Sequence, residues 1–316
     1  MRDFYRYIWK VSGRHQVFLS LLAVALFAVQ LAPLELQRRI INHATERAEY
    51  GAIAMLCLVY LFAVLAQGGL KYALNMYRGS VSEAANQRLR LEVNPAAKAD
   101  VAAGAGSQDE GVAISIIVSE VEAVGGFVGS SFSEPILNGG ILLSIFGYML
   151  FTQPLLALVA IALFCPQFFF IPLLQDAINQ RTESRVKTMR RLSSDIVNEA
   201  AERAGVREEK TFRRRVHQIY RLNMEIFYRK FGMSFLINLF HHVGTIGILA
   251  VGGWLLLQGR TEMGTIVAFI SGINRMNDPW GDLVNFFRDL TNAGVKFRLI
   301  VETIGNPATA ATQPAA

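Results

Sequence analysis

Long charge-free runs alternate with charged gaps along this chain. The runs cover residues 16–34, 50–70, 135–175, 231–259 and 263–274. The third is about twice the ~20 residues a helix needs to cross a bilayer. Thr152, Gln153 and Pro154 interrupt it, so it reads as two spans joined by a tight turn, and the spans number six. None of the runs alternates as a membrane-barrel strand would. A helix satisfies its own amides in lipid. The pattern therefore predicts an all-α, polytopic membrane protein of six transmembrane helices with long cytoplasmic helical extensions.

The gaps fall into two classes. Residues 35–49, 152–154 and 260–262 make short gaps on one side, and residues 71–134 and 176–230 make long ones on the other. The long gaps keep helical spacing. The second span is expected to run past Lys71 and Arg78 toward Leu91 and to stop at Asn94, since Pro95 disfavours helix at the residue before it. Asn94 and Pro95 also suit a helix start. A short helix over 95–103 would follow, ended by Gly104. Ser107 and Glu110 form a capping box for the helix entering the third span. In the second long gap, helix is expected to about Glu202, with a break at Gly205 and a new start capped by Thr211. Each extension would reach about 40 Å beyond the bilayer. A solvated helical hairpin explains the charges, but not two tips that each end in a short capped segment.

Composition agrees with this reading. The 316 residues are 52% hydrophobic with mean hydropathy +0.32, and 18% are charged, against about a quarter in soluble domains. Of the 31 Lys and Arg, only Arg38, Arg39, Arg47 and Arg260 lie in the short gaps. The positive-inside rule then places both termini and both long gaps in the cytoplasm, in a plasma membrane of the bacterial inner-membrane kind. The net charge of +6 is a topology signal and calls for no nucleic acid. Membrane lipid is an expected partner; Arg213, Arg214 and Arg215 read first as a solvated face, with an orientation anchor or contact with inner-leaflet phosphates as the other readings. No cleavable signal peptide is evident. Phe4, Ile8 and Val11 form a helical stripe beside Tyr5 and Trp9, so residues 1–15 read as an interfacial helix on the inner leaflet. Residues 16–304 are the six-span body and 305–316 a Pro/Ala-rich tail. Cys57 and Cys165 lie inside spans and read as packing residues.

Three stretches carry a family likeness. The first runs from Glu110 and Gly111 to Glu120 and Val121, where Asp is usual at the position of Glu120. The second is EAAERAGVREEKTF, residues 199–212. The third joins Gly259 and Gly264 to Pro279 and to residues 293–304. In this order and spacing the chain resembles the transmembrane domain of ABC exporters over nearly its whole length. The resemblance implies two coupling helices at the cytoplasmic tips, docked on ATP-binding subunits. The candidate coupling residues are Pro95 and Val101 on the first tip, and Arg203, Gly205, Val206 and Phe212 on the second. It also implies a second transmembrane subunit, as a homo- or heterodimer, enclosing a cavity. No Gly-Lys dipeptide occurs, so the chain has no phosphate-cradling loop. The chain is therefore expected not to be an enzyme, to hold no cofactor or metal, and to meet ATP and Mg only through a partner ATPase. That partner is a separate polypeptide, or the chain has been cut.

Charges within a span are costly and mark functional candidates. Arg275 and Asp278 lie three apart in the sixth run and can pair, with Asn274 and Asn277 adding polar surface. By resemblance this helix lines the substrate pathway; a structural ion pair is the plainer reading. The same charges make the sixth run the shortest, and an interfacial segment is its other reading. His241 and His242, with Asn238 a turn earlier, are further pathway candidates or buried hydrogen-bonded histidines. Adjacent histidines point to different faces and suit a metal poorly. The function expected is the membrane subunit of an ABC exporter-like transporter. The alternatives are an adaptor that keeps the fold without transporting, and an ATP-independent carrier, for which no internal repeat is visible.

Overall fold

The computed structural model describes residues 2–46, 50–102, 120–201 and 206–304. Among them every regular element is a helix. These are α1 (Arg2–Gln30), α2 (Ala32–Glu46), α3 (Tyr50–Ala102), α4 (Val121–Ser130), α5 (Ser133–Thr152), α6 (Pro154–Ala201), α7 (Val206–Leu257) and α8 (Met263–Ile304). Five stretches are long and apolar enough to cross a membrane: Arg2–Thr45, Tyr50–Val93, Ser133–Thr152, Pro154–Met189 and Phe212–Leu257. On α3, Met55, Leu58, Phe62 and Leu65 are each more than 60% exposed. A helix that turns such residues away from its own protein is solvated by lipid. Cys57 shares this outward exposure and is not packed within the chain. α8 is not among the five stretches, because Arg275, Asp278 and Asp282 interrupt its middle.

The turn within the third run falls where Thr152, Gln153 and Pro154 place it. Gln153 is extended (φ −153°, ψ 92°), its amide donates to the Met149 carbonyl at 3.0 Å, and Pro154 opens α6. Proline suits that place, since the first helical residues have no intrahelical N–H partner to lose.

Other local expectations need correction. α3 does not stop at Asn94; it continues through Pro95 to Ala102. Pro95 removes only the hydrogen bond to the Leu91 carbonyl, and Leu91 stands exposed. No separate helix begins at Pro95. Gly104 and the Ser107–Glu110 box lie outside the described residues. α7 begins at Val206, so Thr211 lies inside the helix and does not cap it. The helix into the third span breaks after Ser130, because Pro135 has no N–H to carry the helix back to the Ser131 carbonyl. The gap expected over residues 35–49 is helix α2 up to Glu46, its last three residues lying outside the described ones.

The N-terminal stripe also differs from its expected role. Phe4 and Ile8, with Tyr7, are buried against protein. Phe4 packs on Phe127 and Phe297 with ring centroids 5.8 and 5.1 Å apart, and Tyr7 on Phe297 at 5.2 Å. The stripe joins α1 to α4 and α8 in one apolar core that also takes Leu74, Val81 and Leu89 from α3. α1 kinks at Ser12 (φ −138°, ψ 20°), where a Ser-Gly pair weakens the helical ladder.

Contacts divide the chain into two units. The first holds α1 to α5 and α8, with α8 packed on α2, α4 and α5. The second holds α6 and α7. Phe170 stacks on Phe240 at 5.2 Å, and Arg181 pairs with Glu225 at 3.2 Å. At Gly247 the absent side chain leaves room for Leu163.

Candidate functional site

Four helices of the first unit wall a cavity of about 380 Å³. α3 supplies Gln67, Lys71, Asn75 and Arg78, whose spacing of four, four and three puts them on one face. α8 supplies Arg275, Asp278, Pro279 and Asp282, again one face. α5 supplies Glu134, Leu137, Asn138, Ile141 and Ile145, and α1 adds Leu26 and Gln30. The lining thus carries three cations, three carboxylates and four amides, and no aromatic side chain among the described residues.

Arg78 anchors the α3 side. Its Nε donates to Ser133 Oγ at 3.0 Å, and that hydroxyl donates to the Gly129 carbonyl at 3.1 Å. Gly129 has no side chain, and any Cβ there would strike the Arg78 carbonyl, so α4 lies directly on α3. Arg78 Nη2 is buried with no hydrogen-bond partner among the described residues. Glu134 and Asp282 are its acidic neighbours, yet no ion pair within 4.0 Å joins either to it.

Arg275 and Asp278 both line this cavity. The expected ion pair between them is not formed: among the described residues no contact within 4.0 Å joins their charged groups. The reason is that charge is balanced around the cavity rather than along one helix. Asp282 has Asp278, Lys71 and Arg78 as its charged neighbours. Asn274 and Asn277 are on α8 but off the lining face. The sequence reading missed Lys71, Asn75, Arg78, Glu134 and Asp282. It assigned Lys71 to Glu134 to a cytoplasmic gap, although the spacing of Gln67, Lys71, Asn75 and Arg78 already marks a polar face on a continuing helix.

A second polar cluster, also unforeseen, lies at the short-gap end of the same unit. Glu35 in the first turn of α2 accepts from Arg38 Nε at 2.9 Å, Arg39 Nε at 2.6 Å and Tyr148 Oη at 2.9 Å. Arg38 reaches on to Glu262 at 3.4 Å. Asn42 donates to Glu262 and accepts from the Gly264 amide at 2.8 Å. A side chain on Gly264 would collide with the Arg38 carbonyl, so glycine is required for this close approach of α8 to α2. Gln153 Nε2 donates to the Arg260 carbonyl at 3.1 Å.

The histidines belong to the second unit and do not line the cavity. His241 is half-buried and His242 exposed, with rings 5.5 Å apart and inclined by 70°. Asn238 is exposed. Among the described residues no three His, Cys, Asp or Glu side chains are grouped to hold a metal. Of the coupling candidates, Pro95 and Val101 belong to the helical backbone of α3 and Val206 opens α7. Phe212 is half-buried in the second turn of α7. Arg203 and Gly205 lie outside the described residues.

Residues 16–200, more than half of the chain, match the family model of the ABC transporter transmembrane region. No curated protein matches the chain.

Proposed function

The chain belongs to the ABC transporter transmembrane family, and we propose that it is the pathway-forming subunit of an exporter powered by separately encoded ATPase subunits. It is a multi-pass membrane protein, and transporters of this family generally work with ATPase subunits. The observation that carries the proposal is the cavity walled by α1, α3, α5 and α8, whose charged and amide lining is costly inside a span unless it serves a solute.

In this reading two such subunits, identical or homologous, enclose the pathway in a bacterial inner membrane, with both termini cytoplasmic. The cytoplasmic tips of α3, α6 and α7, with Pro95, Val101, Arg203, Gly205, Val206 and Phe212, dock on the ATPase. The chain itself hydrolyses nothing; ATP and Mg belong to the partner. Nucleotide binding there biases the subunit between inward- and outward-facing states. The Glu35–Arg38–Glu262 cluster ties α2, α5 and α8 together within the first unit.

The test is enzymatic. The full chain in lipid nanodiscs should hydrolyse ATP no faster than empty discs. ATPase subunits recovered with it from its own cells should bind the nanodiscs and turn over ATP. Replacing Phe212 with Asp should weaken that binding while the spans still insert. Robust hydrolysis by the pure chain, or no ATPase recovered with it, would overturn the proposal.

A further inference from the structure

The charges of the cavity are distributed by wall. α3 presents Lys71 and Arg78, α5 presents Glu134, and α8 presents Arg275 beside Asp278 and Asp282. Two features leave these walls unsatisfied. Arg78 Nη2 is buried and donates to nothing among the described residues. Asp278 and Asp282 stand one helical turn apart, a like-charge pair that destabilises a helix, and among the described residues no cationic side chain forms an ion pair with either. Lys71 and Arg78 on α3 and Asp278 and Asp282 on α8 therefore face the cavity without ion-pair partners among the described residues, with Glu134 and Arg275 completing the lining.

We propose that the cavity binds a small zwitterionic solute, its anionic group at Lys71 and Arg78 and its cationic group at Asp278 and Asp282. This deepens the transporter reading and rests on it for the idea that the ligand is cargo. The balance of three cations against three carboxylates disfavours a solute of large net charge. The absence of aromatic lining leaves no cation–π surface for a lipophilic cation. A volume of about 380 Å³ is near the small end of the ~300–1,000 Å³ usual for ligand pockets, which suits a solute of dipeptide size. Leu137, Ile141 and Ile145 give it an apolar floor.

The test is calorimetric titration of the full chain in nanodiscs with three probes. Alanyl-alanine carries both charges, N-acetyl-alanyl-alanine only the carboxylate, and alanyl-alanine amide only the ammonium. The zwitterion should bind at least tenfold more tightly than either singly charged probe. Lys71→Gln should weaken the zwitterion and the N-acetyl probe but not the amide. Asp282→Asn should weaken the zwitterion and the amide but not the N-acetyl probe. Both residues are exposed on the cavity wall, so folding should survive, and Lys71→Arg and Asp282→Glu should restore binding. Equal affinity for the three probes, no heat with any of them, or variants that weaken all three alike would overturn the proposal. ATPase recruitment by a chain that binds no zwitterion would overturn the solute class and leave the transporter reading standing. Zwitterion binding by a chain that recruits no ATPase would support the site and remove the transporter role.

Discussion

Gln16 shows how single polar residues are used inside this protein. Its side chain is buried on α1, and Nε2 donates to Ser12 Oγ at 3.0 Å and to the Val128 carbonyl at 2.7 Å. It thereby bridges the Ser12 kink to α4. Gln16→Leu removes both bonds, but the Val128 carbonyl keeps the Ser131 hydroxyl at 2.8 Å and the unpaired Gln16 Oε1 goes with it, so thermal unfolding in detergent should show a loss of only about 1 kcal/mol. Arg275 and Asp278 behave differently. Because no ion pair joins them, Arg275→Leu and Asp278→Leu should destabilise independently, their double variant adding to within about 0.5 kcal/mol. A double variant that recovers most of the loss would mean that the two residues pair after all.

At the scale of elements, α2 is the clearest case of a helix where the charge pattern suggests a gap. Its stability comes from one side: Glu35 collects Arg38, Arg39 and Tyr148 and links α2 to α5. Glu35→Ala should cost between the ~1 kcal/mol of an exposed pair and the ~3 kcal/mol of a buried charged hydrogen bond. A cycle with Tyr148→Phe isolates the α2–α5 link. Clear non-additivity in unfolding free energy is expected, and additive losses would show the link to be idle. Gly264→Ala should loosen the contact of α8 with α2 by collision with the Arg38 carbonyl. Its effect should vanish when α2 is already detached by Glu35→Ala.

At the scale of the molecule, the distribution of Lys and Arg predicts an orientation that labelling can check. Cysteines placed at Thr45 or Arg260 should react with an impermeant reagent added to intact cells, and cysteines at Arg90 or Arg221 should react only after lysis. External labelling at Arg90 would reverse the charge-based topology. α3 has 53 residues, about 80 Å at 1.5 Å per residue, far longer than a hydrocarbon core of about 30 Å.

What the sequence determined by itself are the properties that accumulate along the chain. Uncharged runs specify apolar helices, and a Gln153-Pro154 step specifies a turn. Each depends on neighbours in sequence, so no tertiary contact is needed to read it. Cap signals were less secure, because one proline costs a long helix only one hydrogen bond: Pro95 did not end α3. The tertiary structure alone decided which polar faces meet. Lys71 and Arg78, Glu134, and Asp278 and Asp282 lie on three helices far apart in sequence, and only their packing makes one cavity of them. Periodicity shows that a helix has a polar face; it does not show whether that face turns to solvent, to lipid headgroups or to another helix. For the same reason the stripe of Phe4 and Ile8 could be seen from the sequence, while its partners Phe127 and Phe297 could not.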